Sequence, residues 1–138
     1  MSPLQSVQAY VKAWNDHDPA AVVATFASDG TYNDPLAGGD LSGQALADYA
    51  AEVFAALPDV SFQTVSFGMT EDGVIAVEYL MQGANTGMLR GVVPSGKAVS
   101  VPGSDFITVG SDGKIRSVKG YFDLLGFYEQ LGCTVSIV

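Results

Sequence analysis

Cysteine and histidine are almost absent from this chain of 138 residues, which contains one of each, Cys133 and His17. A single cysteine excludes an intramolecular disulfide, and the two residues together are too few for a zinc site built from Cys and His. Any chemistry must therefore come from carboxylates, hydroxyls, amides or a lysine. We expect neither a metal nor another cofactor.

Basic residues are also scarce, because six Lys and Arg stand against fifteen Asp and Glu and the formal net charge is −9. Such a surface repels phosphate backbones and anionic bilayers, so nucleic acid and membranes are not expected partners. No apolar run reaches the ~18 residues of a membrane span, and the start Met1-Ser2-Pro3-Leu4 does not have the pattern of a signal peptide. These features predict a soluble, cytoplasmic protein.

What the chain does contain is enough apolar material for one core. Its length fits a single domain, 1–138, and is too short for two well-cored ones. Hydrophobic residues make up 48% and charged residues 15% of the sequence, which argues against intrinsic disorder. We therefore expect one folded domain.

Three helices are predicted in the first half of the chain. The first has Ser2 as its N-cap and Pro3 in its first turn, the second opens at Pro19, and the third follows Ser42 and ends before Pro58. Their apolar positions are Leu4, Val7, Val11 and Trp14, then Val22, Val23 and Phe26, then Leu46, Tyr49, Val53 and Phe54.

Strands dominate the second half, because apolar and polar residues alternate from Val60 onward. The alternation changes phase near Gln63-Thr64, which predicts a β-bulge there. A short strand, Thr31-Tyr32-Asn33, precedes the third helix, and a short helix carrying Leu124, Phe127 and Leu131 follows the last strand. Helices followed by hairpin-connected strands predict an α+β fold with a mostly antiparallel sheet.

One segment, Gly91 to Ala98, comes close to a phosphate-binding loop. Ala98 stands where that loop needs Ser or Thr to hold magnesium, and the surrounding pattern is a hairpin instead of a strand followed by a helix. We therefore predict a plain turn at Pro94-Ser95-Gly96-Lys97.

Asp34 is the first candidate for chemistry, since it ends a strand against Pro35 and is flanked by Tyr32, Asn33 and Leu36. A carboxylate at the edge of an apolar cavity loses hydration, which raises its pKa toward values suited to proton transfer. Asn-Asp-Pro is also ordinary turn chemistry. The sequence pattern leaves both interpretations open.

Asp123 is the second candidate, standing between the last strand and the last helix. An aspartate there either caps the helix or acts as an acid/base, and the pattern favours neither role. Tyr10 lies beside the apolar face of the first helix, where its hydroxyl is either a hydrogen-bond donor to a cavity or a border of the core.

Several motifs in the first 35 residues share their spacing with a known family. They are Val7-Gln8-Ala9-Tyr10-Val11, Trp14-Asn15, Asp18, Phe26-Ala27 and Asp34-Pro35. In these motifs the chain resembles the ketosteroid isomerases and their relatives with the nuclear-transport-factor-2-like (NTF2-like) fold. The resemblance implies that Tyr10 donates to a dienolate oxygen and that Asp34 shuttles the proton. It matches Ser104 to the second oxyanion donor, and Asp105 is then expected on the other face of the sheet.

The second half resembles a different branch, the SnoaL-like polyketide or ester cyclases. The motifs are Asn85-Thr86-Gly87, Pro94-Ser95-Gly96-Lys97, Asp112-Gly113-Lys114-Ile115, Tyr121-Phe122-Asp123 and Gln130-Leu131-Gly132. This resemblance implies that Asp123 is the general acid/base of an intramolecular aldol closure, with Asn33 and Trp14 lining the pocket. Thr108 and Asn85 stand where many members carry a histidine.

Together these observations predict an α+β cone in which three helices pack on a curved, mostly antiparallel sheet around one apolar pocket. The expected function is cofactor-independent acid/base catalysis on a small hydrophobic carbonyl compound, by cyclisation or isomerisation. Asp34 and Asp123 are the predicted proton-transfer groups, and Tyr10 and Asn33 the predicted donors. The other predicted substrate-binding residues are Trp14, Phe26, Tyr49, Ser104, Phe106, Thr108 and Tyr121.

Two alternatives remain open at this point. A non-catalytic ligand-binding or dimeric association module would leave Asp34 in a surface loop and Asp123 as a helix cap. A limonene-type epoxide hydrolase would need an Asp-Arg-Asp relay, and neither Arg90 nor Arg116 has an acidic neighbour at an obvious spacing for one.

A homodimer is also expected. Alternate strand positions are apolar enough to need cover if they lie on the convex face of the sheet. These positions are Ile75, Val77, Val99 and Val101.

Overall fold

The amino-terminal helix α1, Pro3–Asn15, begins where the sequence predicts, in a computed structural model that describes residues 1–136. Ser2 caps the helix by accepting a hydrogen bond from Gln5 N, and the Gln5 side chain accepts one from Ser2 N. This reciprocal pair satisfies donors that the first helical turn leaves free. The buried face of α1 consists of Ser6, Val7, Tyr10, Ala13 and Trp14.

Helix α2, Pro19–Ala24, ends before Phe26, which instead opens strand β1, Phe26–Asn33. The placement of Phe26 on the second helix was therefore wrong. Thr25 ends α2, with its hydroxyl bonded to Val22 O at 2.7 Å, and Phe26 then aligns with Ile115 in the sheet. Although Phe26 follows Val22 at a helical spacing of four residues, its pairing in the sheet places it in a strand.

Helix α3, Gly43–Ala56, follows Ser42 and ends before Pro58, as predicted. Four strands come after it: β2 Ser61–Met69, β3 Ile75–Ala84, β4 Ala98–Val109 and β5 Ile115–Phe122. Helix α4, Leu124–Gln130, closes the described chain. Within residues 1–136, no helix combines the length and apolar character needed to cross a bilayer.

The five strands form one sheet in the order β1-β5-β4-β3-β2. The pair β1 and β5 is parallel, and the other three pairs are antiparallel. The predicted α+β class with helices on a curved, mostly antiparallel sheet is thus confirmed, with four helices once α4 is included.

Strand β2 lies at one edge of the sheet and pairs only with β3. Its register shifts between Thr64 and Ser66, so a bulge lies at Val65, next to the predicted position. Beyond it, Phe67 and Met69 remain largely exposed.

The helices cover one face of the sheet. The apolar strand positions predicted for the convex face lie on this covered face instead. Ile75, Val77, Val99 and Val101 are each at most 4% exposed. They are core residues, so the sequence-based assignment of these four to a dimer surface was wrong. The opposite, convex face instead carries Glu78 and Leu80 on β3, Ser104, Phe106 and Thr108 on β4, and Lys119 and Tyr121 on β5.

The connection between β3 and β4, residues 85–97, folds back against the end of α3. Asn85 is fully buried and organises it, donating to Gly87 O at 2.9 Å and accepting from Ser95 N at 2.9 Å. Gly87 lies so close to α3 that a β-carbon there would be 2.3 Å from Ala55 O. Strand β4 follows directly, so the segment from Gly91 lacks the helix that a phosphate-binding loop requires.

Candidate functional site

A cavity lies between the helices and the covered face of the sheet. Its apolar walls include Val53, Met81, Leu89, Ile107, Phe122 and Phe127. Its polar members include Tyr10, Trp14, Tyr32, Asp34, Tyr49, Tyr79 and Asp105. The cavity has a volume of about 750 Å³ when its open mouth is included. It therefore suits a small molecule.

Asp34 lies at the turn after β1 and is only 7% exposed. Its carboxylate accepts a hydrogen bond from Ala37 N at 2.7 Å, one from the Tyr32 hydroxyl, and one from the Tyr49 hydroxyl at 2.8 Å. The residue is thus both a turn residue and a cavity residue, which unites the two interpretations that the sequence left open. Three donors supply the solvation that burial removes from a carboxylate.

The two tyrosines that contact Asp34 remain protonated at neutral pH. Burial raises the pKa of Tyr32 well above its ordinary value, and the charge of Asp34 raises it further. Burial also raises the pKa of Tyr49, again reinforced by Asp34. Both hydroxyls are therefore permanent donors to this carboxylate.

Asp105 is the cavity residue that sequence reasoning missed. It lies on β4 in phase with Val101 and Ile107 and lines the cavity, so the expectation that it points to the other face was wrong. Burial raises the pKa of Asp105 to about 7, with the charge of Asp34 as the second cause. Within residues 1–136, no hydrogen bond to its carboxyl group is present. The alternation of Val99, Val101 and Ile107 could have revealed its orientation.

Gly120 on β5 provides the space in which the two carboxyl side chains approach each other. A β-carbon at this position would lie 2.8 Å from Asp105 Oδ1 and 3.2 Å from the Asp34 β-carbon. Any side chain larger than hydrogen would therefore displace Asp105. The two acidic residues flank one glycine, although 71 positions separate them in the chain.

Tyr10 and Tyr79 are the other cavity hydroxyls, and both are held protonated. Burial raises the pKa of Tyr10 well above its usual value, the charge of Asp105 raises it further, and the Trp14 indole N–H opposes the shift. Burial, followed by Asp105, likewise raises the pKa of Tyr79. Trp14 Nε1 itself is buried and has no hydrogen-bond partner among the described residues.

The structure brings Tyr10, Trp14, Asp34 and Tyr49 of the predicted site together, but leaves the others outside the cavity lining. Phe26 packs behind Tyr10 with their ring centres 5.9 Å apart, and Asn33 donates to Asp40 at 3.1 Å. Ser104, Phe106, Thr108 and Tyr121 lie on the convex face, because each is one residue out of phase with the strand positions that face the cavity.

Asp123 is the N-cap of α4 and is exposed, so its contacts in the structure match the capping interpretation, one of the two that the sequence left open. Its carboxylate accepts a hydrogen bond from Gly126 N at 2.8 Å. A β-carbon at Gly126 would lie 2.4 Å from Asp123 Oδ2, which explains why a glycine occurs inside this short helix. Asp123 does not line the cavity.

The remaining polar residues singled out in the sequence are structural. His17 Nε2 lies 2.6 Å from Val60 O, and its ring stacks on Phe54. Arg90 pairs with Glu52 at 3.1 Å, and Arg116 forms ion pairs at the surface; neither lines the cavity. Residues 1–136 contain no group of three His, Cys, Asp or Glu placed to hold a metal ion.

Comparison with known proteins agrees with this architecture. A polyketide cyclase of Xanthomonas campestris shares 25% identity and a TM-score of 0.81, over 94% of this chain and 96% of that one. A SnoaL-like polyketide cyclase of Jannaschia shares 19% identity and a TM-score of 0.82, over 96% and 93%. A Catenulispora acidiphila protein with a ketosteroid isomerase-like fold shares 23% identity and a TM-score of 0.79, over 94% and 93%.

No curated protein matched the sequence. The family model for SnoaL-like polyketide cyclases matches residues 5–131. This match confirms the resemblance noted in the carboxy-terminal motifs, and the structural neighbours confirm the NTF2-like fold. The chain therefore belongs to the SnoaL-like polyketide cyclase family.

Proposed function

We propose that the protein is a cofactor-independent acid/base catalyst of cyclisation or isomerisation, acting on a small hydrophobic carbonyl compound. Asp105 replaces Asp123 as the principal proton-transfer group in this proposal. Family membership supports cyclase-type chemistry, and the apolar cavity supports the substrate class. The cytoplasm remains the proposed location.

The observation that carries the proposal is the contrast between the two cavity carboxyl groups. Asp34 accepts three hydrogen bonds, whereas Asp105 accepts none and has its pKa raised to about 7 by burial and by the charge of Asp34. An acid/base is most effective when its pKa lies near the working pH. Asp105 is suited to exchanging a proton, and Asp34 is held in place beside it by its three donors.

In the proposed reaction, ionised Asp105 removes the proton next to the substrate carbonyl, and the C–H electron pair forms an enolate. In a cyclisation, the enolate carbon then attacks a second carbonyl carbon of the same molecule. The electron pair of that carbonyl moves to its oxygen, which takes the proton from Asp105. In an isomerisation, Asp105 returns the proton to a different carbon. Both reactions balance without an oxidant, a reductant or a metal.

Asp34 acts as a positioning residue in this mechanism. Its charge raises the pKa of Asp105, and the Tyr32 and Tyr49 hydroxyls hold it in place. The resemblance to the ketosteroid isomerases would instead make Asp34 the proton shuttle. The two assignments predict different mutants to lose activity, so one experiment separates them.

The two alternatives are less well supported by the site. A non-catalytic module predicts Asp34 in a surface loop, but its carboxylate is buried among tyrosines. An epoxide hydrolase of the limonene type requires an arginine between two acidic groups, and both Arg90 and Arg116 are engaged in ion pairs outside the cavity lining.

The test uses an enolisable ketone that fits a narrow apolar cavity. We expect the protein to accelerate exchange of the α-hydrogens of β-tetralone with deuterated water, in buffer containing EDTA. The rate should rise with pH through about 7, because ionised Asp105 is the base. Asp105→Asn should lower the rate ~10² to 10⁴-fold and abolish this pH dependence.

Asp123→Asn is the matched control, since it makes the same chemical change at an exposed carboxylate. It should retain the exchange activity, and a panel of β-keto esters and 3-keto-5-ene compounds would then distinguish cyclisation from isomerisation. No acceleration by the wild type, or an Asp105→Asn variant within threefold of it, would overturn the proposal. A large loss in Asp34→Asn alone would favour the isomerase-like assignment.

A further inference from the structure

Trp14 presents an unused hydrogen-bond donor inside the cavity. The residue is 6% exposed, lines the cavity, and packs edge-on against Phe54 and Phe62 with ring centres 5.5 and 5.6 Å apart. Its Nε1 is shielded from solvent and has no hydrogen-bond partner within residues 1–136. A buried donor without a partner costs free energy, so its presence requires an explanation.

The surroundings of this N–H limit what it binds. The indole nitrogen only donates, so its partner must carry an acceptor atom. The indole N–H lies near enough to the Tyr10 hydroxyl to oppose the rise in the pKa of Tyr10, but the pair does not have the geometry of a full hydrogen bond. Two donors therefore lie side by side on an otherwise largely apolar wall. A carbonyl oxygen, with two lone pairs, accepts from both.

We infer that the Trp14 indole N–H, together with the Tyr10 hydroxyl, binds the carbonyl oxygen of the molecule that occupies the cavity. This inference rests on the proposed function and deepens it by assigning the substrate oxygen to a place on α1. The substrate class becomes a ketone or an ester, whose carbonyl oxygen offers two lone pairs, whereas a cation would leave the N–H unpaired. Asp105 lines the same cavity as Tyr10 and Trp14, so its carboxyl group shares the space that the bound carbonyl compound would fill.

Trp14 is the one tryptophan of the chain, so a proton–nitrogen correlation spectrum contains a single indole resonance that reports on this donor. We expect titration with β-tetralone to move the indole proton downfield. Titration with tetralin, a hydrocarbon of the same shape without the oxygen, should leave it nearly unchanged while shifting signals of the apolar walls. Backbone signals from residues lining the cavity report saturation independently.

A second measurement removes the N–H without removing the ring. Expression in a tryptophan-requiring host replaces Trp14 alone by its benzothienyl analogue, in which sulfur stands in place of the N–H. We expect β-tetralone to bind about three- to tenfold more weakly, and tetralin to bind within twofold of the wild type. Trp14→Phe should behave similarly, and thermal unfolding of each variant shows whether the fold is retained.

The outcomes separate this inference from the proposed function. If β-tetralone saturates the wild-type cavity without moving the indole resonance, or moves it no more than tetralin does, the inference is wrong while the acid/base proposal stands. If the resonance moves but hydrogen exchange is not accelerated, the carbonyl site stands and the proposed function fails. If β-tetralone does not bind, both are overturned.

Discussion

Asp105 couples the stability of the protein to pH in a direction opposite to that of most acidic residues. Its pKa is raised to about 7 in the folded state, whereas an aspartate in an unfolded chain titrates near 3.9. Between these values the folded state binds more protons than the unfolded state, so the free energy of unfolding falls as pH rises. The contribution is favourable at low pH and lost as pH passes 7.

Asp105→Asn should remove this dependence. Relative to the variant, we expect the wild type to lose about 2 kcal/mol of unfolding free energy between pH 5 and pH 8. Urea unfolding of both proteins at the two pH values measures the difference. The contributions of the other ionisable groups to the unfolding free energy are shared by both proteins and largely cancel in the comparison. If the unfolding free energies of the two proteins changed in parallel with pH, Asp105 would titrate normally and the prediction would be wrong.

The donors around Asp34 predict a second residue-scale effect. Tyr49→Phe removes a hydroxyl that contacts both oxygens of the carboxylate, at 2.8 and 3.0 Å, and leaves a buried charge with fewer partners. We expect a loss of about 1.5 to 3 kcal/mol in stability, the usual range for hydrogen bonds to charged groups. Tyr121→Phe, which removes a hydroxyl that makes no hydrogen bond within residues 1–136, provides the control and should change stability by less than about 0.5 kcal/mol. Equal losses of stability in the two variants would contradict a special role for the hydrogen bonds to the Asp34 carboxylate.

At the scale of elements, α4 depends on its cap. Asp123→Asn weakens the hydrogen bond from Gly126 N, and Asp123→Ala removes it, at a cost of about 1 kcal/mol for a lost N-cap. Thermal unfolding should therefore detect Asp123→Ala, whereas the ketone exchange activity per folded molecule should remain. A loss of activity near a hundredfold, without unfolding, would restore Asp123 to the catalytic role that the family resemblance implies.

The elements also show why the sequence predicted some features and missed others. The start of α1 follows from Ser2 and Pro3, which act on their own helical turn, so local patterns were sufficient there. The face on which Asp105 lies depends on the phase of β4, and the resemblance to the ketosteroid isomerases drew attention to Ser104 instead. The approach of both Asp34 and Asp105 to Gly120 depends on the pairing of three strands, which no local pattern contains.

For the whole molecule, we still predict a homodimer, but through different residues of the convex face. Phe106 and Tyr121 contact each other edge-on there and are 39% and 56% exposed. Glu78 on β3 and Lys119 on β5 flank them. A two-fold axis along β4 would place β3 of one copy against β5 of the other, so these opposite charges would meet.

Light scattering at tens of micromolar protein measures the assembly. We expect twice the chain mass of 14.4 kDa for the wild type and a monomer for Tyr121→Lys, because the added lysine would be buried without a partner. Val65→Lys, which places the same charge on the exposed β2 strand, should remain dimeric. A monomeric wild type would contradict the prediction, and dissociation by Val65→Lys alone would place the interface at that edge.

The bulge at Val65 has a consequence for aggregation. Strand β2 is an edge strand without a single charged residue, and Val65, Phe67 and Met69 are 58–63% exposed along it. Regular strands of this composition are templates for addition of further chains and for the growth of fibrils. A bulge twists the strand and breaks the even spacing of its free amide groups, so a second copy cannot continue the ladder along its whole length. Deletion of one residue at this position would restore a regular edge strand, with which strands of further chains would pair.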